Sequence, residues 1–317
     1  MDETFEQRPL LDRDTLRSLQ QREDTSSLMR LTLQLSAFVL GCGLVVVVSP
    51  FPVIAAFVTI VLAAIWATLF APFHECIHQT AFRSRRFNAI GAWLTGIPFG
   101  MAPVVYRAFH FAHHRYTHDP NRDPEIGGAP DQLAVWPTNS RAWLFLISGL
   151  WLFMLKVRTL VKFSLLPPEK RDRIAPWAPP EQGDRIVRET RVVALFWFAL
   201  FVAAALNIPG ARWLLLALLL SHVFQAVWVT TEHTGLPYEG TIFARTRTML
   251  PAPWVRWWIW NMNYHAEHHA WPAIPWHQLP TAHERVANHL DNKAGRYWQL
   301  QLDVLRQRNL PNGVTSM

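Results

Sequence analysis

The chain has 317 residues, half of them hydrophobic (50%), and a net charge of +7 from 30 Lys and Arg against 23 Asp and Glu. Sixteen Trp and an aromatic share of 13% argue against nucleic acid as the partner of this basic chain and for a surface at the bilayer interface, where indoles settle at headgroup depth. Two cysteines, Cys42 in an apolar run and Cys76 between two histidines, exclude a disulfide framework.

In chain order, residues 1–30 mix both signs of charge without an apolar stretch, so no cleaved signal peptide of the usual kind is expected. Leu31–Ser49 and Val53–Phe73 then run without Asp, Glu, Lys or Arg, and pair as a hairpin around Pro50-Phe51-Pro52. At ~1.5 Å per residue each reaches roughly the hydrocarbon thickness of a bilayer. Ala89–Val105 is uncharged but broken by Gly91, Gly96, Pro98, Gly100 and Pro103, and Ala142–Leu155 is only 14 residues long; neither is expected to span. Val192–Ile208 and Trp213–Thr231 form a second hairpin around Pro209-Gly210.

The charges orient these hairpins. Their turns carry only Arg212, while Arg13, Arg17, Arg22 and Arg30, Arg83, Arg85 and Arg86, Arg185, Arg188 and Arg191, and Arg245 and Arg247 flank the other ends. The positive-inside rule puts both termini and the long connections in the cytoplasm. The expected fold class is an all-α, multi-pass integral membrane protein: four transmembrane helices in two hairpins with a cytoplasmic helical cap. The membrane domain covers 31–285, between a cytoplasmic segment at 1–30 and a cytoplasmic C-terminal helix and tail at 286–317.

Fourteen histidines are present, and eight fall in three groups: His74 and His78 in HECIH, His110, His113 and His114 in HFAHH, and His265, His268 and His269 in HAEHH. Helical residues three and four apart share a face, so each group is expected to aim its imidazoles at one point. His233, where the second hairpin ends, is a ninth candidate, placed much as His74 is at the end of the first. Each half thus reads as hairpin, histidine, connector and HxxHH. Nine imidazoles exceed the six positions of an octahedral ion, so two metals are implied. Without thiolates, iron with open positions for O₂ fits better than a closed structural zinc site. His118, His222, His277, His283 and His289 read as structural.

The runs HECIH (74–78), HFAHHRYTHDPNRDPE (110–125) and NMNYHAEHHAWPAIPWHQLP (261–280) resemble the membrane fatty acid desaturase superfamily, which includes related hydroxylases and carotenoid ketolases. The resemblance implies a di-iron centre held by His74, His78, His110, His113, His114, His265, His268 and His269, with His233 as the separate ninth ligand. It also implies a lipid or fatty acyl substrate, O₂ as co-substrate and an external electron-transfer protein of ferredoxin, rubredoxin or cytochrome b5 type. One departure is Val229, which stands where acyl-CoA desaturases place a water-holding Asn. No His-Pro-Gly-Gly haem motif occurs, so a fused cytochrome b5 domain is not expected.

Asp119, Asp123, Glu125, Glu232 and Asn263 are candidates to orient imidazoles through hydrogen bonds, although Asp119-Pro120 and Asp123-Pro124 also read as turns. The expected reaction is formation of a C=C bond in an unactivated acyl chain. Hydroxylation or ketolation at the same irons is the alternative. A metal transporter would put ionisable groups within the spans, where only His222 lies.

Overall fold

The computed structural model of the protein describes residues 8–126, 134–165, 167 and 175–307; the outermost parts of both expected cytoplasmic ends, 1–7 and 308–317, lie outside the described residues. The first half of the chain forms α1 (Arg13–Leu19), α2 (Asp24–Val48), α3 (Pro52–Thr68), α4 (Phe70–His78), α5 (Arg85–Phe99), α6 (Pro103–Tyr116), α7 (Ser140–Ile147) and α8 (Leu150–Leu165). The second half forms α9 (Gly183–Ala205), α10 (Ala211–His233), α11 (Ile242–Arg245), β1 (Thr248–Met249), α12 (Pro253–Trp258), α13 (His265–Ala270), α14 (Leu279–Val286), β2 (Lys293–Ala294) and α15 (Tyr297–Gln307). The fold is helical except for the short parallel pairing of β1 with β2.

Among the described residues three helices are long and apolar enough to cross a membrane: α2, the nearly continuous run of α3 and α4 from Pro52 to His78, and α10. The expected span Val192–Ile208 is the apolar part of α9. Every 18-residue window of that helix includes Arg188, Glu189 and Arg191, so α9 falls short of the same standard. Two bent pairs raise the number of spans to as many as five: α5 with α6, at 93°, and α7 with α8, at 50°. The expected count of four therefore becomes three to five, because length and polarity do not decide whether a broken helix crosses.

Apolar side chains face outward along these helices. Leu40 is 72% exposed, Phe57 69% and Phe198 64%, as suits surfaces that meet lipid. Inside, Leu62, Trp66, Val193, Trp197, Ala217 and Leu218 join α3, α9 and α10 in one core. The hairpin turns meet at Gly210, whose φ is +76° and whose added Cβ would lie 2.7 Å from the Val46 backbone.

The break after α5 determines where α6 points. Pro98 lies in the last turn of α5, and Gly100, with φ +85°, closes it against the Trp197 ring, leaving no room for a Cβ. Helix ends leave carbonyls without partners. Here the Trp197 indole donates to Ile97 O (3.2 Å), the Trp66 indole to Pro98 O (2.8 Å) and the Lys156 ammonium to Phe99 O (2.9 Å). The α6 N-terminus has only Ala102 at its cap, and Glu189 of α9 substitutes by accepting from Val104 N at 2.9 Å. Donors and an acceptor from neighbouring helices thus stabilise a sharp corner that α5 and α6 could not hold alone.

Candidate metal centre

His74 and His78 end α4 one turn apart. The chain leaves the helix abruptly after them: Gln79 takes a left-handed φ of +61°, and the N–H groups of Thr80 and Ala81 return to Glu75 O. His110, His113 and His114 fill the last two turns of α6, and His233 is the last residue of α10. The third group forms the short helix α13, which β1 secures. Thr248 Oγ1 accepts from Ala266 N at 3.3 Å, while Met249 and Asn263 exchange two hydrogen bonds of 2.9 Å.

These elements bring all nine predicted histidines together in two sets. In the first, one ring nitrogen from each of His74, His78, His110, His114 and His268 lies within 4.8 Å of every other. In the second, His113, His233, His265 and His269 meet the same limit. The rings turn their Nε2 atoms toward one another, with separations of 3.0 Å for His110 and His114, 3.1 Å for His114 and His268, and 2.8 Å for His233 and His265. His74 Nε2, His78 Nε2 and His269 Nε2 are buried without a hydrogen-bond partner among the described residues. Such atoms are costly to bury unsatisfied, and converging neutral imidazoles are the donor set a transition metal takes. The chain therefore has two sites that could each hold a metal ion.

One expectation is corrected: each HxxHH group does not aim at a single point. The i,i+4 pair His110 and His114 serves the first set while His113 turns to the second; His265 and His269 serve the second while His268 turns to the first. The reason is the helical period. Residues four apart differ by about 40° around the axis, whereas consecutive residues differ by about 100°, so neighbouring histidines diverge. Each set takes its own helix-end histidine, its own i,i+4 pair and one ring from the other half.

Several outward Nδ1 atoms are held by the surrounding protein, while those of His74, His114, His265 and His268 have no hydrogen-bond partner among the described residues. His113 Nδ1 lies 3.0 Å from Asp123 Oδ1 and 3.0 Å from Glu125 Oε2. His233 Nδ1 donates to Arg245 O (2.9 Å), which leaves its Nε2 bare toward the second set. His269 Nδ1 lies 3.1 Å from Thr117 Oγ1, His110 Nδ1 3.3 Å from the Tyr106 hydroxyl, and His265 Nδ1 3.6 Å from Glu232 Oε1. Burial first, and then the charge of neighbouring imidazoles, holds His265, His268 and His269 well below the ordinary histidine range, so they are neutral at pH 7.

Among the five residues expected to orient imidazoles, Asp123, Glu125 and Glu232 face ring nitrogens. Asp119 does not: its carboxylate accepts from Asn121 N and Arg122 N and pairs with the Arg122 side chain at 2.6 Å, which is turn chemistry. Asn263 braces β1 instead of a ring. The sequence reading overlooked two carboxylates inside the histidine motifs. Glu75, fully buried, accepts from Thr80 Oγ1 (2.7 Å) and Trp276 N (3.2 Å). Glu267, also fully buried, accepts from Thr248 Oγ1 and pairs with His283, a histidine read as merely structural. The available signal was a Glu at a buried position of a short helix, a charge that must find partners. His222 lies outside both histidine sets, and its Nδ1 is bonded to Leu218 O of its own helix (2.8 Å).

A polytopic helical chain with two adjacent imidazole clusters at its helix ends defines a narrow class, and comparison with known proteins gives it a family. The profile of the fatty acid desaturase family matches residues 49–301, and the chain belongs to that family. It is similar to the Delta(5) fatty acid desaturase fat-4 of Caenorhabditis elegans, 23% identical over 80% of this chain and 63% of the relative. It also resembles a fatty acid desaturase of Bacillus subtilis, 21% identical over 71% of this chain and 66% of the relative. A third relative is the sphingolipid delta(4)-desaturase/C4-monooxygenase DES2 of Mus musculus, 24% identical over 69% of this chain and 61% of the relative. The alignment thus spans less than two thirds of each relative's length.

Proposed function

We propose that the chain is an O₂-dependent desaturase that holds one iron in each histidine set and forms a C=C bond in the acyl chain of a membrane lipid. The observation that carries this reading is the convergence of nine imidazoles, eight of them buried and His78 partly so, five in one set and four in the other. A set of five imidazoles exceeds the four ligands of a structural zinc site, and neither set includes a thiolate. Iron bound there would supply the oxidising power for an unactivated C–H bond; the protein positions the substrate and keeps the site dry.

Overall, O₂ takes two hydrogens from adjacent methylenes and two electrons with two protons from outside, giving two waters and the alkene. Asp123, Glu125, Thr117 and the Arg245 carbonyl hold three imidazoles of the second set in orientation through their outer nitrogens. A groove of about 400 Å³ along α3 and α10, lined by Ile65, Thr68, Phe224, Trp228, Trp254 and Trp258, offers an apolar berth for an acyl chain. Its wall reaches the centre through Trp228, whose indole donates to Glu232 Oε1 at 3.0 Å, and Glu232 faces His265. The arginine distribution supports a cytoplasmic location for the histidines.

The same centre supports a second outcome, in which oxygen is inserted. The mouse relative's name pairs desaturase with C4-monooxygenase activity, and a small shift of the target carbon would separate the outcomes. Two measurements test the proposal: metal analysis of purified protein, expected at about two irons per chain, and mass spectrometry of lipids from an expressing host, expected to show a new double bond. Added oxygen without unsaturation would favour hydroxylation. Absence of bound iron would defeat both readings.

A further inference from the structure

We propose that the outer face of α6, formed by Arg107, Phe111 and Arg115, docks an acidic one-electron carrier protein, with the Phe111 ring joining that surface to the first histidine set. The assignment rests on the O₂ chemistry proposed above, which requires two electrons from outside.

Residues four apart share a helix face. Arg107, Phe111 and Arg115 therefore line up as one exposed stripe of α6, opposite His113 and next to the side that carries His110 and His114. All three are exposed, and Phe111 is 37% exposed although aromatic. Its ring nevertheless touches the centre, packing edge-on at 5.1 Å against the ring of His78. Arg107 lies over the same Phe111 ring at 4.4 Å and donates to the carbonyl of Ile77, the residue before His78. Neither Arg107 nor Arg115 has a carboxylate partner among the described residues. The three side chains border an open groove of about 390 Å³ whose far wall is Pro176, Trp177 and Pro179.

Two unpaired guanidinium groups around an exposed aromatic form a surface for an acidic protein, since complementary charge raises encounter rates and an aromatic supplies the contact. Electron-transfer encounters are small and short-lived, commonly below about 1,200 Å² of buried surface, and a single helix face suits them. An anionic membrane surface would use the charges but has no use for a ring leading to His78. In each docking the carrier is oxidised by one electron and leaves. Two dockings and two protons from solvent complete the reduction of O₂ to water alongside the two substrate hydrogens, and no bond forms between the proteins.

The test uses the full chain loaded with iron in lipid nanodiscs, with a reduced acidic [2Fe–2S] ferredoxin as the probe and its reoxidation followed by stopped-flow absorbance. Arg115→Glu should raise the KM for ferredoxin about tenfold or more at low ionic strength, a gap that closes as salt screens the charges. Arg115→Lys should stay near wild type. Phe111→Leu should lower the maximal rate of ferredoxin oxidation with little change in KM. Arg306→Glu, on α15, is the control for general charge and should leave KM unchanged. With a small uncharged photoreductant, Arg115→Glu should form product at the wild-type rate.

An unchanged KM and salt dependence in Arg115→Glu would overturn the proposal, as would an equal rise in Arg306→Glu. So would a wild type that turns over with the photoreductant but never oxidises ferredoxin. If Arg115→Glu lost binding to phosphatidylserine vesicles while oxidising ferredoxin normally, the face would be a lipid surface and the proposal would fall. A wild type that makes no product even with the photoreductant would instead overturn the O₂ chemistry.

Discussion

The two histidine sets are built by the same device and end up different. Each uses a histidine at a helix end, an i,i+4 pair from one HxxHH motif and one ring from the other motif. The first set gains a fifth ring, His78, one turn beyond His74. The equivalent position beyond His233 is Pro237, which has no imidazole to offer a metal; its carbonyl accepts from His118 Nδ1 at 2.8 Å. Beside the second set lies a small cavity of about 30 Å³, lined by His113, Glu125, Val229, Thr230, His233 and Thr234, with room for about one water. The outer nitrogens differ as well. In the second set Asp123, Glu125, Thr117 and the Arg245 carbonyl hold the outer nitrogens of three rings and only His265 Nδ1 lacks a hydrogen bond, whereas in the first set His74 Nδ1, His114 Nδ1 and His268 Nδ1 all lack one among the described residues. The first set thus has five rings, and the second has four with a small cavity beside them. On the iron chemistry proposed above, the second is where a small ligand such as O₂ would have access.

The strongest way to break that comparison is to remove histidines that neighbour one another in sequence but serve different sets. His110→Ala should empty the first site and His113→Ala the second, each lowering iron from about two per chain toward one and abolishing activity, read by metal analysis and a spectroscopic signature of the remaining iron. If both variants depleted the same site, the partition would be wrong.

Asp123→Asn should weaken metal retention or activity about 10- to 100-fold by loosening His113, whereas Asp119→Asn, in a turn, should change either less than about twofold. Activity assays with iron titration separate the two. Val229→Leu tests that access: filling the cavity should slow turnover about tenfold while iron content stays at about two. Trp228→Phe removes one hydrogen bond to Glu232 and should cost about 1 kcal/mol of stability, measured as a lowered Tm in detergent.

The smallest effect is on the metal-free protein and its pH dependence. His265, His268 and His269 are held well below the ordinary value of 6.5, so above that value folded and unfolded states bind the same number of protons at these rings. As pH falls below 6.5 the unfolded chain takes up protons that the folded chain refuses, and stability declines. Tm scans of apoprotein between pH 7.5 and about 5 should show that decline. A flat profile would mean that the rings are solvated.

Much of this was legible in the residues. Charge-free runs bounded by arginines marked the helix hairpins, and eight of the nine histidines announced themselves by spacing, because the helical repeat turns spacing into shared faces. His233 was accessible only through its place at the end of an apolar run. Asp119 and Asp123 were both candidates, and only Asp123 faces a ring; nothing in Asp119-Pro120 against Asp123-Pro124 distinguishes a turn former from a residue that also meets a ring. The corner at Gly100, braced by Trp66, Lys156, Trp197 and Glu189 from three other helices, has no local signature.

The linear chain set which atoms were available: neutral imidazoles at one-turn intervals, apolar lengths near bilayer thickness, and breaks at glycine and proline. Helical geometry and hydrophobicity act over a few residues and can be read in order. Which imidazole joins which set, which carboxylate faces a ring, and which site has a cavity beside it all depend on the angles at which α4, α6, α10 and α13 meet. Those angles come from contacts between residues as far apart as Trp197 and Gly100, and no local pattern encodes them.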